Sequence, residues 1–440
     1  MSLRAGAAAA DIRPNRPMAL FGYPHVQRIS TGVHDPIMAS ALYLRTGSSA
    51  ALLVGLDILF ISPSLAKEIR GNIARRLGIE ESDVFVSTTH THSGPVTGKL
   101  LLWQDDPAVP DPDEAYLAEI AEKAVAAAEA AMADAVEAEL AWTTADATGV
   151  GGNRLSRDGI IDPEAGILTV RRISDRSLIG VSVVYSMHPT VMHEDSTLIS
   201  SDFPHYMRAC VHEQFAEVPV LYHMGPSGNQ SPRYFVDGQT FAEAERLGRK
   251  LGDAVCAAIA ALSDSDYSSD VELKSFLSEV DLPRRTIPAV ADAEKTLAEY
   301  RATFERLRAE NAPAPQVRTA ECAIFGAEGV LTAARANERG EVDAAIESCR
   351  PFQVQLLKIG SAWMVGFPGE IFTDYGVALK RQSPEKAFVA SLVGGDILSY
   401  IVTPEAAAEG GYEAAGSLYE PKAGTILVNA ALAIIQENMK

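Results

Sequence analysis

Chemistry first suggests itself at Thr89-His90-Thr91-His92-Ser93-Gly94-Pro95. Two histidines two residues apart in an extended segment point to the same side. Both can then reach one metal ion, or one can bind metal while the other donates a hydrogen bond. Alone the pair reads equally as a polar turn. A further histidine, His188, stands in Tyr185-Ser186-Met187-His188-Pro189-Thr190, and His193, five residues on, reads as a surface residue. The stretch Gly225-Pro226-Ser227-Gly228-Asn229-Gln230-Ser231-Pro232-Arg233 makes a tight polar loop suited to an oxyanion hole or an activated serine at Ser231. It lacks the spacing of the G-x-S-x-G elbow. Gly366-Phe367-Pro368-Gly369-Glu370 places a carboxylate at an expected helix start, where the helix dipole favours it with or without a function. Ser399-Tyr400 and, beyond it, Gly410-Gly411-Tyr412-Glu413 supply tyrosines that read by themselves as core. Together these segments offer imidazoles, a carboxylate and a hydroxyl, ligand types that zinc accepts. An open shell of that kind leaves room for water, whose pKa zinc lowers to about 7.

Apolar runs of strand length alternate with helical stretches, and the polar groups follow the strands. Val84–Thr88 precedes His90, Leu178–Met187 precedes His188, Val218–Met224 precedes Ser231, and Ala362–Phe367 precedes Glu370. Ala51–Ile61 and Phe352–Ile359 read as further strands, with Gly166–Arg171 pairing Leu178–Met187. Helices are expected at Ile69–Leu77, Asp113–Glu139, Pro204–Phe215, Thr240–Leu262 and Thr425–Met439, with Thr240 capping the fourth and Glu243 three residues into it. No repeat of a 20–50-residue period is present. The pattern predicts an α/β fold, with α+β as the variant. A mixed sheet core is flanked by helices, and the site gathers at strand C-terminal ends. Residues 1–440 are expected to form one catalytic domain. Residues 288–348, rich in Ala, Glu and Arg and broken near Ala312–Pro315, are expected to be a helical insertion within it.

Composition narrows the partners. A formal net charge of -20 repels phosphate backbones, so nucleic acid is not expected. No apolar stretch is long enough to span a membrane. Cys210, Cys256, Cys322 and Cys349 include no C-x-x-C pair and read as ordinary reduced thiols. The alanine run ending at Asp11 is too short and too weakly apolar for a signal-peptide core, so a cytoplasmic location is expected. Oligomeric state is not encoded in any of these features.

THTHSGP, MHPT followed by Ser201-Asp202-Phe203-Pro204, GNQSPR, FPGE and the SY…YE tail occur in the order and approximate spacing of the neutral ceramidase family. Gly32-Val33-His34-Asp35-Pro36 also resembles that family's N-terminal pattern, and the resemblance runs from about Ala5 to Pro421. It implies a zinc-dependent hydrolase of linear amides. One zinc ion per chain would be held by His90, His188, Glu370 and Tyr400. His92, Ser231 and Tyr412 would act in catalysis, with Arg154 and Asn229 at the substrate. Asn229 stands where the family carries Asp, and Asp396-Ile397-Leu398 replaces an Asn-rich stretch before Tyr400. The mechanism implied is attack of zinc-activated water on an amide carbonyl. Aromatic content is 7%, and no basic amphipathic helix stands out. The substrate is therefore expected to be smaller or more soluble than ceramide, with an ester or lactone as further options. The alternatives are a true ceramidase acting on N-acylsphingosine, a serine hydrolase using Ser231, and a non-catalytic binding protein on the same scaffold.

Overall fold

The computed structural model describes residues 2–215 and 217–439. Its largest sheet has eight strands: β1 Arg4–Asp11, β2 Met38–Thr46, β3 Ser49–Leu56, β4 Val84–Thr88, β5 Val136–Asp146, β6 Glu164–Arg172, β7 Leu178–Tyr185 and β8 Val220–Met224. They lie in the order β8-β7-β6-β5-β1-β2-β3-β4. A second sheet is built from β9 Leu273–Val280, β10 Phe352–Ile359, β11 Ala362–Gly366 and β12 Lys386–Ala390, side by side in that order. The fold is thus a mixed α/β one, as expected.

Alternation along each strand assigns its two faces. Leu42, Leu44, Leu53 and Phe85 of the large sheet pack with Leu357, Ile359, Met364 and Phe388 of the small one. The opposite face of the large sheet buries Tyr43, Leu52, Val54 and Val86 against helices α1 Pro63–Leu77 and α2 Glu114–Ala133. Its other half buries Ile167, Val181 and Val183 against α3 Phe203–Gln214 and α4 Phe241–Ala260. The outer face of the small sheet, with Val354, Leu356 and Trp363, is covered by α5 Val290–Ala309, α6 Ala314–Glu338, α7 Glu341–Ser348, α8 Thr373–Gln382 and the terminal helix Ala423–Glu437. Helices therefore lie outside both sheets, which meet on a shared apolar core.

One succession occurs three times. A first strand is followed by a connection, an antiparallel hairpin, a helix, a strand parallel to the last, and a closing helix. It begins at Arg4, Val136 and Leu273, about 130 residues apart. This spacing lies far above the short periods that mark solenoids, and no sequence motif repeats with it. In each unit the connections after the first, third and fourth strands emerge at the same end. The longest of them, in the third unit, contains α5 to α7.

Several local expectations need correction. The stretch predicted as one helix over Asp113–Glu139 is capped by the Asp113 side chain and ends at Ala133; from Val136 the chain is β5. Ala51–Ile61 stops being strand after Leu56. The alanine run before Asp11 is β1, in the middle of the large sheet, where small side chains fit between β2 and α2. Thr240 caps α4 as predicted, accepting from the Glu243 amide.

Candidate metal centre

His90 follows β4 and takes a left-handed conformation, φ 65°, which a non-glycine residue rarely adopts. Its Nδ1 lies 2.9 Å from the Leu59 carbonyl, so Nδ1 carries the proton and Nε2 keeps its lone pair. His188, fully buried after β7, directs its Nε2 to Glu370 Oε2 at 3.0 Å, and His90 Nε2 lies 3.3 Å from the same oxygen. Ligand atoms at about 2.0–2.1 Å from a tetrahedral zinc stand about 3.3 Å apart. The separations of Glu370 Oε2 from the two imidazole nitrogens, 3.3 and 3.0 Å, lie close to that spacing. His92 completes a buried imidazole cluster, its candidate ligand nitrogen within 4.8 Å of those of His90 and His188.

Glu370 is not at a helix start. It pairs with Tyr400 in a two-residue parallel bridge, and α8 begins only at Thr373. The glycine before it has φ 73°, and a Cβ there would meet an Ile397 side-chain carbon at 2.8 Å. That explains Pro-Gly-Glu: the turn needs glycine to aim the carboxylate inward. Burial alone pushes the Glu370 carboxyl up, but His90 and His188 together hold it well below the ordinary carboxylate range. Burial, helped by the charge of Arg154, lowers His188 to about 4, so its imidazole is neutral and able to ligate at neutral pH.

Tyr400 accepts a hydrogen bond from Arg154 Nη2 at 3.2 Å, and Tyr412 lies with its ring centre 6.1 Å from that of Tyr400. Burial, then the charge of Glu370, keeps both hydroxyls protonated. Arg154 is itself held by Glu413 at 2.6 Å, in a pair whose side chains are 10% and 7% exposed. Ser231 sits in a two-residue bridge with Gly152, and its hydroxyl accepts from the Arg233 amide at 3.3 Å. Among the described residues no imidazole hydrogen-bonds to it. The Asn229 side chain is bonded at both ends: its amide nitrogen donates to Asp374, and its oxygen accepts from the Thr373 and Gln230 nitrogens. Asn229 therefore ties the Ser231 loop to the start of α8. His90, His188, Glu370, Tyr400, His92, Tyr412 and Arg154 are thus brought together, with Ser231 on an adjoining loop and Asn229 behind it.

Sequence reasoning passed over the groups that hold His92. Its Nδ1 lies 3.0 Å from the Gly22 carbonyl, Tyr23 packs beside it, and Arg28 donates to the His92 carbonyl at 2.9 Å. These lie in a connection without chemical motifs, so spacing gave no sign of them. Glu413 was visible beside Tyr412 but not as a partner of Arg154. Buried polar atoms without partners concentrate in the loops around the cluster: Thr89 Oγ1, His92 Nε2, Ser93 Oγ, His188 Nδ1 and Ser227 Oγ. Such a concentration belongs where a ligand or ion completes the bonding.

The family model for neutral/alkaline non-lysosomal ceramidase, N-terminal, matches residues 4–225. The chain belongs to this family. The match spans the first of the three structural units and the second as far as the end of β8. Among solved structures the chain is similar to neutral ceramidase from Pseudomonas aeruginosa, with a TM-score of 0.76 and 19% identity over 99% of this chain and 75% of that one. It is also similar to a ceramidase complexed with C2, with a TM-score of 0.73 and 17% identity over 99% of this chain and 76% of that one. At these identities the likeness establishes the fold. No curated protein matches the chain. Membership in the ceramidase family supports a hydrolase acting on amide bonds, and its buried histidine cluster could hold a metal ion. Among the described residues no helix is long and apolar enough to cross a membrane.

Proposed function

We propose that the chain is a zinc-dependent amide hydrolase, one catalytic unit with residues 288–348 inserted at the mouth of its site. The observation that carries this is the convergence of His90 Nε2 and His188 Nε2 on one oxygen of Glu370, at 3.3 and 3.0 Å. His90, His188, Glu370 and Tyr400 would hold the ion. Bound there, zinc supplies a Lewis acid that polarises a carbonyl and makes water nucleophilic at neutral pH. His92, with Nδ1 committed to Gly22, presents Nε2 as a proton acceptor able to relay a proton towards the leaving amine. Tyr412 and the Ser231 loop flank the position where the tetrahedral oxyanion develops and supply donors to it. Arg154, fixed by Glu413, orients the substrate.

The substrate we infer is an amide smaller or more soluble than ceramide, with lipid-like amides of modest length included. Contacts that α6 makes beside the site support this. Arg318 of α6 reaches across to Glu194, in the loop after His188, at 3.0 Å, and Gly326 of the same helix packs on the Tyr412 backbone.

Elemental analysis of protein purified without added metal should give about one zinc per chain, and His90→Ala and His188→Ala should each lose the metal and the activity. Protein without stoichiometric metal, together with full activity in both variants, would sink the reading.

A further inference from the structure

Behind the segment that carries Tyr412 lies a cavity of about 240 Å³, separate from the histidine cluster. Its walls come from three elements: Ala293 of α5, Ala323, Ala327 and Val330 of α6, and Ala407 with Gly410 from the chain leading to Tyr412. The α6 residues recur at helical spacing, so one stripe of the helix faces the cavity. Phe325 points elsewhere and stacks on His25 at 4.8 Å. The lining is mixed: alanines and Val330 along α6, Thr296 and Tyr300 from α5, and one cation, Arg285.

Arg285 is half-buried and lacks a counter-ion. Its Nη1 and Nη2 donate to the carbonyls of Ala414 and Ala415, at 2.7 and 2.9 Å, while its Nε, enclosed by protein, has no partner. Among the described residues no carboxylate forms an ion pair with it. Burial lowers its pKa without an opposing charge to restore it. A partly desolvated charge without a counter-ion is destabilising, and an anion against the guanidinium would offset that. Asp292 also lines the cavity but is exposed, at the rim. With a single guanidinium inside, a carboxylate at the rim and alanines along the wall, the chemistry suits a singly charged planar anion with a short apolar tail. A phosphate dianion would need more donors and would meet Asp292.

We propose that this cavity is a binding site for short aliphatic carboxylates, with the carboxylate at Arg285 and the alkyl tail along Ala323, Ala327 and Ala407. Such a ligand would lie against Ala414 and Ala415, immediately after Tyr412 and Glu413, and so against the segment that positions two groups of the metal centre.

Calorimetric titration of the full chain with hexanoate and with 1-hexanol, its neutral isostere, tests the proposal. Hexanoate should bind saturably and at least tenfold more tightly than hexanol. Arg285→Met should abolish that preference. Because Arg285 also holds two carbonyls, a second variant leaves it in place: Ala323→Leu, which fills the cavity from the α6 side. It should lose hexanoate binding with circular dichroism and basal amide hydrolysis unchanged. Equal binding of hexanoate and hexanol, absence of saturable hexanoate binding, or wild-type hexanoate binding by Ala323→Leu would each overturn the proposal.

Discussion

Gly22 and His92 share one space: the Gly22 carbonyl lies 3.0 Å from His92 Nδ1, and a Cβ on Gly22 would overlap the same nitrogen. Gly22 also has φ 105°, a region that other residues avoid. Gly22→Ala should therefore displace the imidazole. Strain should lower stability by about 1–3 kcal/mol, and kcat/KM should fall at least tenfold, since small misplacements of a catalytic group cost up to about 10² in rate. Steady-state kinetics beside urea denaturation measures both. Wild-type kinetics in a destabilised Gly22→Ala protein would show that His92 does not act in the reaction.

Ser231 has a backbone amide, and no imidazole, at hydrogen-bonding distance among the described residues. A serine so placed lacks the base that would make it a nucleophile. Ser231→Ala should lower the rate by roughly 10²–10³, the loss expected for an oxyanion donor. Intact-mass analysis of enzyme quenched during turnover should find no acyl adduct. An acyl group mapped to Ser231 would establish the serine-hydrolase mechanism instead.

Asp202 is buried at the start of α3 with φ 64°, accepting from the Met192 and Phe203 amides. Burial first, and the neighbouring Asp35 charge with it, raise its pKa to about 7 from 3.8. Between those values the folded chain holds a proton that the unfolded chain has released, so stability falls as pH rises and the full deficit is present above about pH 7. Asp202→Asn keeps the oxygen that accepts from Phe203 and loses the one that accepts from Met192, a cost independent of pH. Relative to wild type it should gain on the order of a few kcal/mol in stability between pH 4 and pH 8. Urea denaturation of both proteins across this range measures the gap. A constant difference at every pH would show that Asp202 does not titrate on folding.

On the proposed reading, with Arg318 paired to Glu194 and α6 packed on Tyr412 beside the site, substrate size decides the rate. Short N-acyl compounds should have higher kcat/KM than a long-chain ceramide presented in detergent. A preference for the long-chain ceramide above about tenfold, roughly 1.4 kcal/mol in transition-state binding, would restore a true ceramidase.

What could be read from sequence follows from how local each signal is. His90, His188 and Glu370 each follow an apolar strand, where α/β proteins gather functional groups, so each could be picked out as a candidate. Their meeting is a matter of tertiary structure, since β1 and β5 pair antiparallel. Thr240 was legible because a cap is a contact three residues long. β5 was not, because its Ala- and Glu-rich start continues the composition of α2, and only pairing with β1 and β6 makes it a strand. The cradle of His92 was equally hidden. Gly22 lies far from His92 in the chain and acts through its backbone, which carries no residue-type signature. The engagement of Asn229 with Asp374 is of the same kind, a long-range bond that no local pattern announces.

The threefold succession of strands and helices carries a division of labour. His90 comes from the first unit, His188 and Ser231 from the second, and Glu370 and Tyr400 from the third, each from a connection after a third or fourth strand. The connections after the first strands, which bring Gly22, Arg154 and α6 to the mouth, carry none of the proposed metal ligands. Changes in these connections, the longest of which holds α5 to α7, can therefore alter the surroundings of the site while the proposed ligand set stays fixed. The same scaffold leaves a lineage free to exchange one substrate for another, and it ties survival of the chemistry to keeping all three units in one polypeptide.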